Sequence, residues 1–478
     1  MRKTTSEISS QAAKNLGYCS AEKIGFSSSA ARDCFVLMFS FVCVCGASGA
    51  EKEALRQVGV AKIDITPDYP VRLSGYAVRK SESEGIAQHL WARAVAIGGD
   101  REKVAILITV DNCGVPYHVR TKVVQDLYKK VKTISPERVA ICSTHTHSAP
   151  WVAGYLPNLF GAPLPAEEQA HVERYTRELT EALETVALRA LEDRRPAKLS
   201  RGQGQAGFAA NRRTKGGPTD HDLPALFVTD ANGTLRAIFA SYACHCTTLT
   251  GEFNQICGDW AGYAAEFLER DHPGAVALVA LGCAGDANPN PRPGFELAKQ
   301  HGGEISTVVN RILTNALTPV KGKLVCRTKQ IELPFDTLPT RAEWEARAKE
   351  TNYAGSHARL NLARLDRGEQ LPTALPYMVQ TWSFGDGLTM VFLPGEVVVD
   401  YSLRLKKEFD AKRLWVNAYA NDVPCYIPSD RVLKEGGYEG GGAMVYYDKP
   451  TRFAAGVEDR IIKAVHDLVP KEFLGRNF

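Results

Sequence analysis

The chain has 478 residues, enough for one large or two ordinary domains with a sizeable core. Its 44% hydrophobic and 23% charged residues are the proportions of a soluble globular protein, which argues against a fibrous or disordered chain. The net charge of +4 is small, and no long basic run or nucleic-acid-binding motif is present, so no nucleic acid is expected as a partner.

The first fifty residues differ from the rest. Residues 1–33 are rich in Ser and Ala with scattered Lys and Arg, residues 34–45 form an apolar run of 12, and Gly46-Ala47-Ser48-Gly49-Ala50 follows. A charged segment, a short apolar core and small residues make an export signal, read here as 1–50 and cleaved near Ala50. The apolar run falls short of the roughly 20 residues that a membrane-spanning helix needs. An uncleaved N-terminal anchor is the alternative. The expected location is therefore exported: periplasmic, secreted or held by that segment. Of twelve cysteines, four lie in this segment, and the spacing of the other eight implies no disulfide framework.

From residue 51 no linker, repeat or low-complexity tract divides the chain, so 51–478 is read as one domain. Residues 57–67 alternate like a half-buried strand and stop at Pro67. Leu73-Ser74-Gly75-Tyr76 reads as a turn. Residues 90–97 and 104–110 read as a hairpin around Gly98-Gly99-Asp100, and 117–129 as a helix. Asp111 is either a buried carboxylate needing a partner or a strand-end turn residue. The run Arg138-Val139-Ala140-Ile141-Cys142 then reads as a buried strand that ends in Ser143-Thr144-His145-Thr146-His147-Ser148.

Side chains two apart on an extended backbone share a face, so His145 and His147 are expected to point together. Two imidazoles side by side repel once protonated. They make sense with a cation between them, or with one ring handling protons; otherwise they are unrelated loop histidines. Residues 150–166 form a loop long enough to be a lid. Residues 167–192 have apolar side chains at helical spacing, with His171 on the surface. Asn211-Arg212-Arg213 precedes a polar turn.

His245 ends the apolar strand from residue 235, flanked by small residues, and reads either as a metal ligand or as a satisfied core histidine. Asp259 is a candidate N-cap for a helix to residue 270. Residues 274–281 form another buried strand, ending in Gly282-Cys283-Ala284-Gly285-Asp286-Ala287-Asn288-Pro289, a tight loop able to approach a ligand closely. A helix over 293–318, a strand over 324–333 and peripheral charged helices over 339–370 follow. The strands 377–384 and 388–393 flank Gly385-Asp386-Gly387, a hairpin signal. Glu396, at the strand–helix junction, is a metal ligand or a helix-start carboxylate. A last strand over 414–420, a flexible glycine loop over 436–442 and a helix over 455–468 complete the chain. Alternating strands and helices indicate an α/β architecture of mixed β-sheets with flanking helices.

The ordered set Asp64-Ile65-Thr66-Pro67, the tract 86–94, Thr144-His145-Thr146-His147-Ser148, Asn211-Arg212, His245, Gly258-Asp259, Gly285-Asp286-Ala287-Asn288-Pro289-Asn290, Leu393-Pro394-Gly395-Glu396, Tyr426 and Tyr438-Glu439-Gly440 resembles the N-terminal catalytic domain of neutral (alkaline, non-lysosomal) ceramidases. The resemblance covers nearly all of 57–445. It implies a single zinc held by His145, His245, Glu396 and Tyr426. It also implies His147 as proton shuttle, and Arg212 with Tyr438 as oxyanion-binding groups.

Two departures stand out. Where the family has the serine of Gly-Asp-Val-Ser-Pro-Asn, this chain has Asn288, whose amide cannot act as a serine-type nucleophile. The immunoglobulin-like domain that follows in ceramidases is not expected here. The resulting expectation is an exported zinc-dependent amidohydrolase, with water activated by zinc attacking the N-acyl amide of ceramide or a related lipid, and Asn288 contacting the head group. Membrane-surface contact would come through the substrate. A zinc hydrolase of another amide or ester, or a binding protein that kept the fold, are the alternatives.

Overall fold

The computed structural model describes residues 55–99 and 103–475. The export-signal reading of 1–50 and Asp100 of the hairpin turn lie outside the described residues. The strands Arg56–Asp64, Trp91–Ile97, Ala105–Val110 and Val139–Ser143 form one arm of a nine-stranded mixed sheet. Arg195–Gln205, Asp222–Asp230, Leu235–Tyr242 and Val276–Leu281 form the other, with Thr318–Pro319 added beside Arg195–Gln205. The middle of this sheet is antiparallel. Its two edge pairs are parallel, joined through the helices Tyr117–Lys130 and Asp259–Asp271.

These edge strands are apolar throughout, as strands covered on both faces must be. The sheet coils until its edge strand Val276–Leu281 packs against the strands of the opposite arm. That coiling matters for function, because it brings the ends of Val139–Ser143 and Leu235–Tyr242 side by side. A parallel bridge between Thr146 and Cys246 closes the gap.

A second sheet, Leu324–Pro334, Ala374–Phe384, Leu388–Phe392 and Leu414–Asn417, lies on the first. Leu107, Cys142, Phe239 and Leu278 of one sheet share an apolar layer with Trp382, Met390, Phe392 and Trp415 of the other. The opposite face is covered by helices. Ala166–Glu192 buries Val172, Tyr175, Leu179, Leu183 and Val186 along one stripe, each worth about 1.5–3 kcal/mol against exposure.

Elements with long apolar periods lie where the sequence indicates. Differences are local. Asp259 does not cap its helix; the cap is Gly258, and the Asp259 carboxylate accepts from the Leu249 and Trp260 amides at 2.9 and 2.6 Å. Asp111 is buried and partnered, 2.9 Å from the Arg93 guanidinium and 3.0 Å from the Trp91 amide. The glycine segment is helical rather than an open loop: Gly437–Gly440 forms a turn of helix and Gly442–Val445 a 3-10 turn. Arg213 fixes it by donating to the Gly436 carbonyl at 2.9 Å. The eight described cysteines are buried and free, and no helix among the described residues is long and apolar enough to cross a membrane.

Candidate metal and hydrolytic centre

The Val139–Ser143 strand delivers His145, but not on an extended backbone. His145 has φ 55°, in the left-handed region, so period-two alternation does not place the histidine pair. The rings nevertheless meet. They stand edge-on at 82° with centroids 4.8 Å apart, and their Nε2 atoms are 3.1 Å apart. Thr146 between them donates its hydroxyl to the Cys257 carbonyl at 2.7 Å, which fixes the bend. Gly75 closes over the pair with φ 82°; a Cβ there would lie 2.4 Å from His147 Cγ, so only glycine fits.

His245 follows the Leu235–Tyr242 strand, with its amide bonded to the Ala287 carbonyl at 2.9 Å. Its Nδ1 faces the Ala284 carbonyl at 2.7 Å, and His145 Nδ1 faces the Cys113 carbonyl at 2.5 Å. A carbonyl only accepts, so each Nδ1 carries the hydrogen and each Nε2 turns inward, with a lone pair to offer a metal once that nitrogen is deprotonated. Those lone pairs meet Glu396, whose Oε2 is 2.9 Å from His245 Nε2 and 3.2 Å from His145 Nε2. The donor atoms of His145, His245 and Glu396 all lie within 4.8 Å of one another, and all three residues are buried. Two nitrogens and a carboxylate oxygen, without a thiolate, suit zinc, and the carbonyls behind the rings are the outer partners that such ligands need.

Glu396 reaches this point from a two-residue strand, Glu396–Val397, paired in parallel with Tyr426–Ile427 so that Glu396 stands opposite Tyr426. It lies ahead of the helix Val399–Glu408 rather than in its first turn. The Tyr426 hydroxyl is 3.4 Å from His245 Nε2 and accepts from Arg212 Nη2 at 2.9 Å. Arg212 is held through Nε by Glu439 at 2.7 Å, and its Nη1 is 3.5 Å from Asn288 Oδ1. Tyr438 stands at the rim, 47% exposed, its ring 5.3 Å from that of Tyr426. The eight residues singled out in the sequence thus gather around one point.

Charge within the cluster is strongly coupled. Burial opposes ionisation of Glu396, but His145 and His245 outweigh it and hold the carboxyl well below its usual range. Burial likewise opposes protonation of His145, and the Glu396 carboxylate reverses that, taking the ring up to about 10. His245 falls to about 4 through burial and the Arg212 charge. Burial and the other two histidines push His147 well below an ordinary imidazole. Its Nδ1 is buried without a protein partner.

Several participants carry no sequence signal. Tyr447 donates a short hydrogen bond to Glu396 Oε1. The Tyr419 ring lies 4.4 Å from that of His145. The Cys113 thiol lies 3.8 Å from His145 Nδ1. Arg79 holds the His147 carbonyl at 2.7 Å. Tyr447 sits in an aromatic run after the glycines, indistinguishable in sequence from core. The 150–166 segment is packed rather than loose, with Trp151, Tyr155, Leu156 and Leu159 buried. Tyr155, Leu156 and Leu159 join His147, Glu396, Tyr426 and Tyr447 around a cavity of about 190 Å³.

The profile of one family, described as neutral/alkaline non-lysosomal ceramidase, N-terminal, matches residues 57–295. Glu396, Tyr426 and Tyr438 lie beyond that match. Curated relatives include neutral ceramidase of Drosophila melanogaster, 27% identical over 262 residues, 50% of this chain and 36% of that protein. Neutral ceramidase of Oryza sativa subsp. japonica is 26% identical over 229 residues, 44% of this chain and 28% of that one. The chain therefore matches about a third of the length of these relatives. Among solved structures, neutral ceramidase from Pseudomonas aeruginosa superimposes with a TM-score of 0.67 at 22% identity, over 87% of this chain and 74% of that one. A ceramidase complexed with C2 gives 0.68 at 20%, over 87% and 76%. The likeness to the solved structures extends the shared fold past residue 295, and the profile match over 57–295 makes this chain a member of the neutral/alkaline non-lysosomal ceramidase family.

Proposed function

We propose that the chain is an exported zinc-dependent amidohydrolase that cleaves the N-acyl amide of ceramide or a related N-acyl lipid. The observation that carries this reading is the convergence of His145 Nε2, His245 Nε2 and Glu396 Oε2, with both Nδ1 hydrogens committed to backbone carbonyls. His145, His245, Glu396 and Tyr426 would hold the metal. Zinc bound there would polarise the scissile carbonyl and acidify a water near neutral pH.

The chain's own residues do the rest. Asn288 has no hydroxyl to acylate, so water is the nucleophile. The acyl C–N bond breaks, a C–O bond to the water oxygen forms, and the water proton ends on the leaving amine. His147, half-buried with its Nε2 3.1 Å from that of His145, moves that proton. Arg212, held by Glu439 and 5.9 Å from the Tyr438 ring centroid, would stabilise the developing oxyanion together with Tyr438.

A second reading, a zinc hydrolase of a smaller amide or ester, is favoured by the cavity. Its volume of about 190 Å³ is below the roughly 300–1,000 Å³ of drug-sized sites. The test is metal analysis of the purified chain together with hydrolysis of a short-chain fluorescent ceramide. The expected result is zinc bound and ceramide turned over, both lost in His245→Ala. Full zinc occupancy in that variant would overturn the ligand set, and a zinc-loaded wild type inert on every N-acyl substrate would overturn the amidase.

A further inference from the structure

Beside the tyrosine-lined cavity, around Tyr76, lie donors that form no ion pair among the described residues. Asn288 is the first. Its Oδ1 accepts from Thr247 Oγ1 at 3.3 Å and from Arg212 Nη1 at 3.5 Å. A guanidinium only donates, so the Asn288 atom facing it is the oxygen, and the orientation of the amide follows. The amide Nδ2 is thereby turned elsewhere, with no acceptor among the described residues.

Arg292 is the second. It is half-buried, four residues further along the same loop. Its guanidinium makes a single long hydrogen bond, 3.5 Å to the Tyr76 hydroxyl, and no carboxylate pairs with it among the described residues. Tyr76 in turn stands edge-on to His147 with ring centroids 4.8 Å apart. Under the same Tyr76 ring, at 5.1 Å, lies Arg79. Arg79 is buried and bonded only to the neutral carbonyls of Ser74, His147 and Phe253 at 2.6, 2.7 and 3.1 Å.

The nearest carboxylates, Glu252 and Asp259, form no ion pair with Arg79 or Arg292 among the described residues. Glu252 is bonded to Thr250, and Asp259 accepts from two backbone amides. Two guanidiniums beside the site therefore lack a carboxylate, whereas Arg212 has Glu439. A half-buried cation without a counter-charge is a strong receptor for a carboxylate, because charge-assisted hydrogen bonds are about twice as strong as neutral ones.

Resting on the amidase reading, we infer that the substrate carries a carboxylate beside the scissile amide: the site takes N-acyl amino acids, with Arg292 and Asn288 Nδ2 receiving the carboxylate. The acyl carbons next to the scissile amide then face the cavity that includes Leu156 and Leu159, whose walls contain neither Asn288 nor Arg292. Hydrolysis adds water across the C–N bond and yields a fatty acid and a free amino acid, with no other reactant.

The experiment uses the zinc-loaded full chain and a matched pair, N-dodecanoylglycine and N-dodecanoylethanolamine, with short-chain fluorescent ceramide as a third substrate. The glycine conjugate should be preferred over the ethanolamide by about 10- to 100-fold in kcat/KM, the worth of one charge-assisted hydrogen bond. Arg292→Ala and Asn288→Ala should each collapse that ratio, chiefly through KM for the glycine conjugate, and Arg292→Lys should restore part of it. Turnover of the ethanolamide and ceramide with no preference for the carboxylate, or a ratio unchanged in Arg292→Ala, overturns this inference alone. Turnover of none of the three brings down the amidase reading and this inference with it.

Discussion

The two halves of the centre are built differently. The histidine half, residues 139–289, hangs from the ends of long buried strands, and backbone groups orient it: the Cys113 and Ala284 carbonyls fix the rings, and the Ala287 carbonyl fixes the His245 amide. The acid and tyrosine half, residues 395–447, rests on two-residue strands and tight turns, with positive φ at Gly395, Tyr419, Gly436, Gly437 and Gly441. Side chains hold it instead: Tyr447 on Glu396, and Arg212 and Arg213 on Glu439. A donor positioned by a sheet survives loss of one neighbouring side chain. A donor positioned by side chains does not, and that contrast can be broken by substitution.

The largest effect is expected for His245→Ala. No flexible neighbour can replace a ligand delivered by a buried strand, so zinc content and turnover should both fall to background, measured by metal analysis and amide hydrolysis on the same sample. Retained zinc would mean that the acid half alone holds the metal. Next is Tyr447→Phe, which removes only the hydroxyl bonded to Glu396. Loss of an outer partner of a ligand costs about 10- to 100-fold in metal affinity, and a zinc-chelator competition titration reads it directly. Unchanged affinity would show that backbone, not Tyr447, fixes Glu396.

The same contrast explains what was legible in the sequence. Most strands, the major helices and the strand-end histidines were readable because apolar runs and helical periods span many residues and burial enforces them, but the central strands Arg195–Gln205 and Asp222–Asp230 were not read, the first being largely polar and only partly buried. Glu396 could be seen only as one of two alternatives, because a two-residue strand has no period. Tyr426 and Tyr438 came from the family resemblance and not from any pattern. Tyr447, Tyr419 and Cys113 were not legible, since a buried tyrosine or cysteine in an apolar context looks like core. The geometry of the histidine pair was expected for the wrong reason: alternation requires extended backbone, and His145 is left-handed. Asp259 looked like a cap because Asp favours that position, yet its carboxylate is spent on the Leu249 and Trp260 amides.

Asn288 belongs to the histidine half and carries the chain's main departure from its family. With water as nucleophile, Asn288 only positions the substrate. Asn288→Ala should lower kcat/KM on the preferred N-acyl substrate by about 10- to 100-fold, the cost of a modest misplacement, and leave a pH limb near neutrality. Asn288→Ser should not exceed the wild type. A wild type that is zinc-loaded but inert, with only Asn288→Ser active, would mean that the ancestral reaction needed the serine.

The smallest effect on turnover, and the one that tests how the second half stays folded, concerns Asp448, next to Tyr447. Arg364 grips both carboxylate oxygens, through Nη1 at 2.8 Å and through Nη2 by a shorter bond. His357 adds a contact at 3.5 Å. Burial alone would raise the Asp448 pKa, but the Arg364 and His357 interactions bring it from 3.8 down to about 2. A carboxyl whose folded pKa is depressed adds stability that is fully present above its unfolded pKa and is lost as pH falls through the folded value. The window here is therefore pH 4 to pH 2, and the contribution above it is about 2 kcal/mol. Asp448→Asn should be less stable than wild type by about that amount at pH 6 in urea unfolding, and the difference should shrink as the pH is lowered through the window. A difference that stays constant from pH 6 to pH 2 would show that Asp448 acts through shape and not through charge. The turn carrying Tyr447 would then be held by packing, and the contrast between the two halves of the centre would rest on Tyr447 and Glu439 alone.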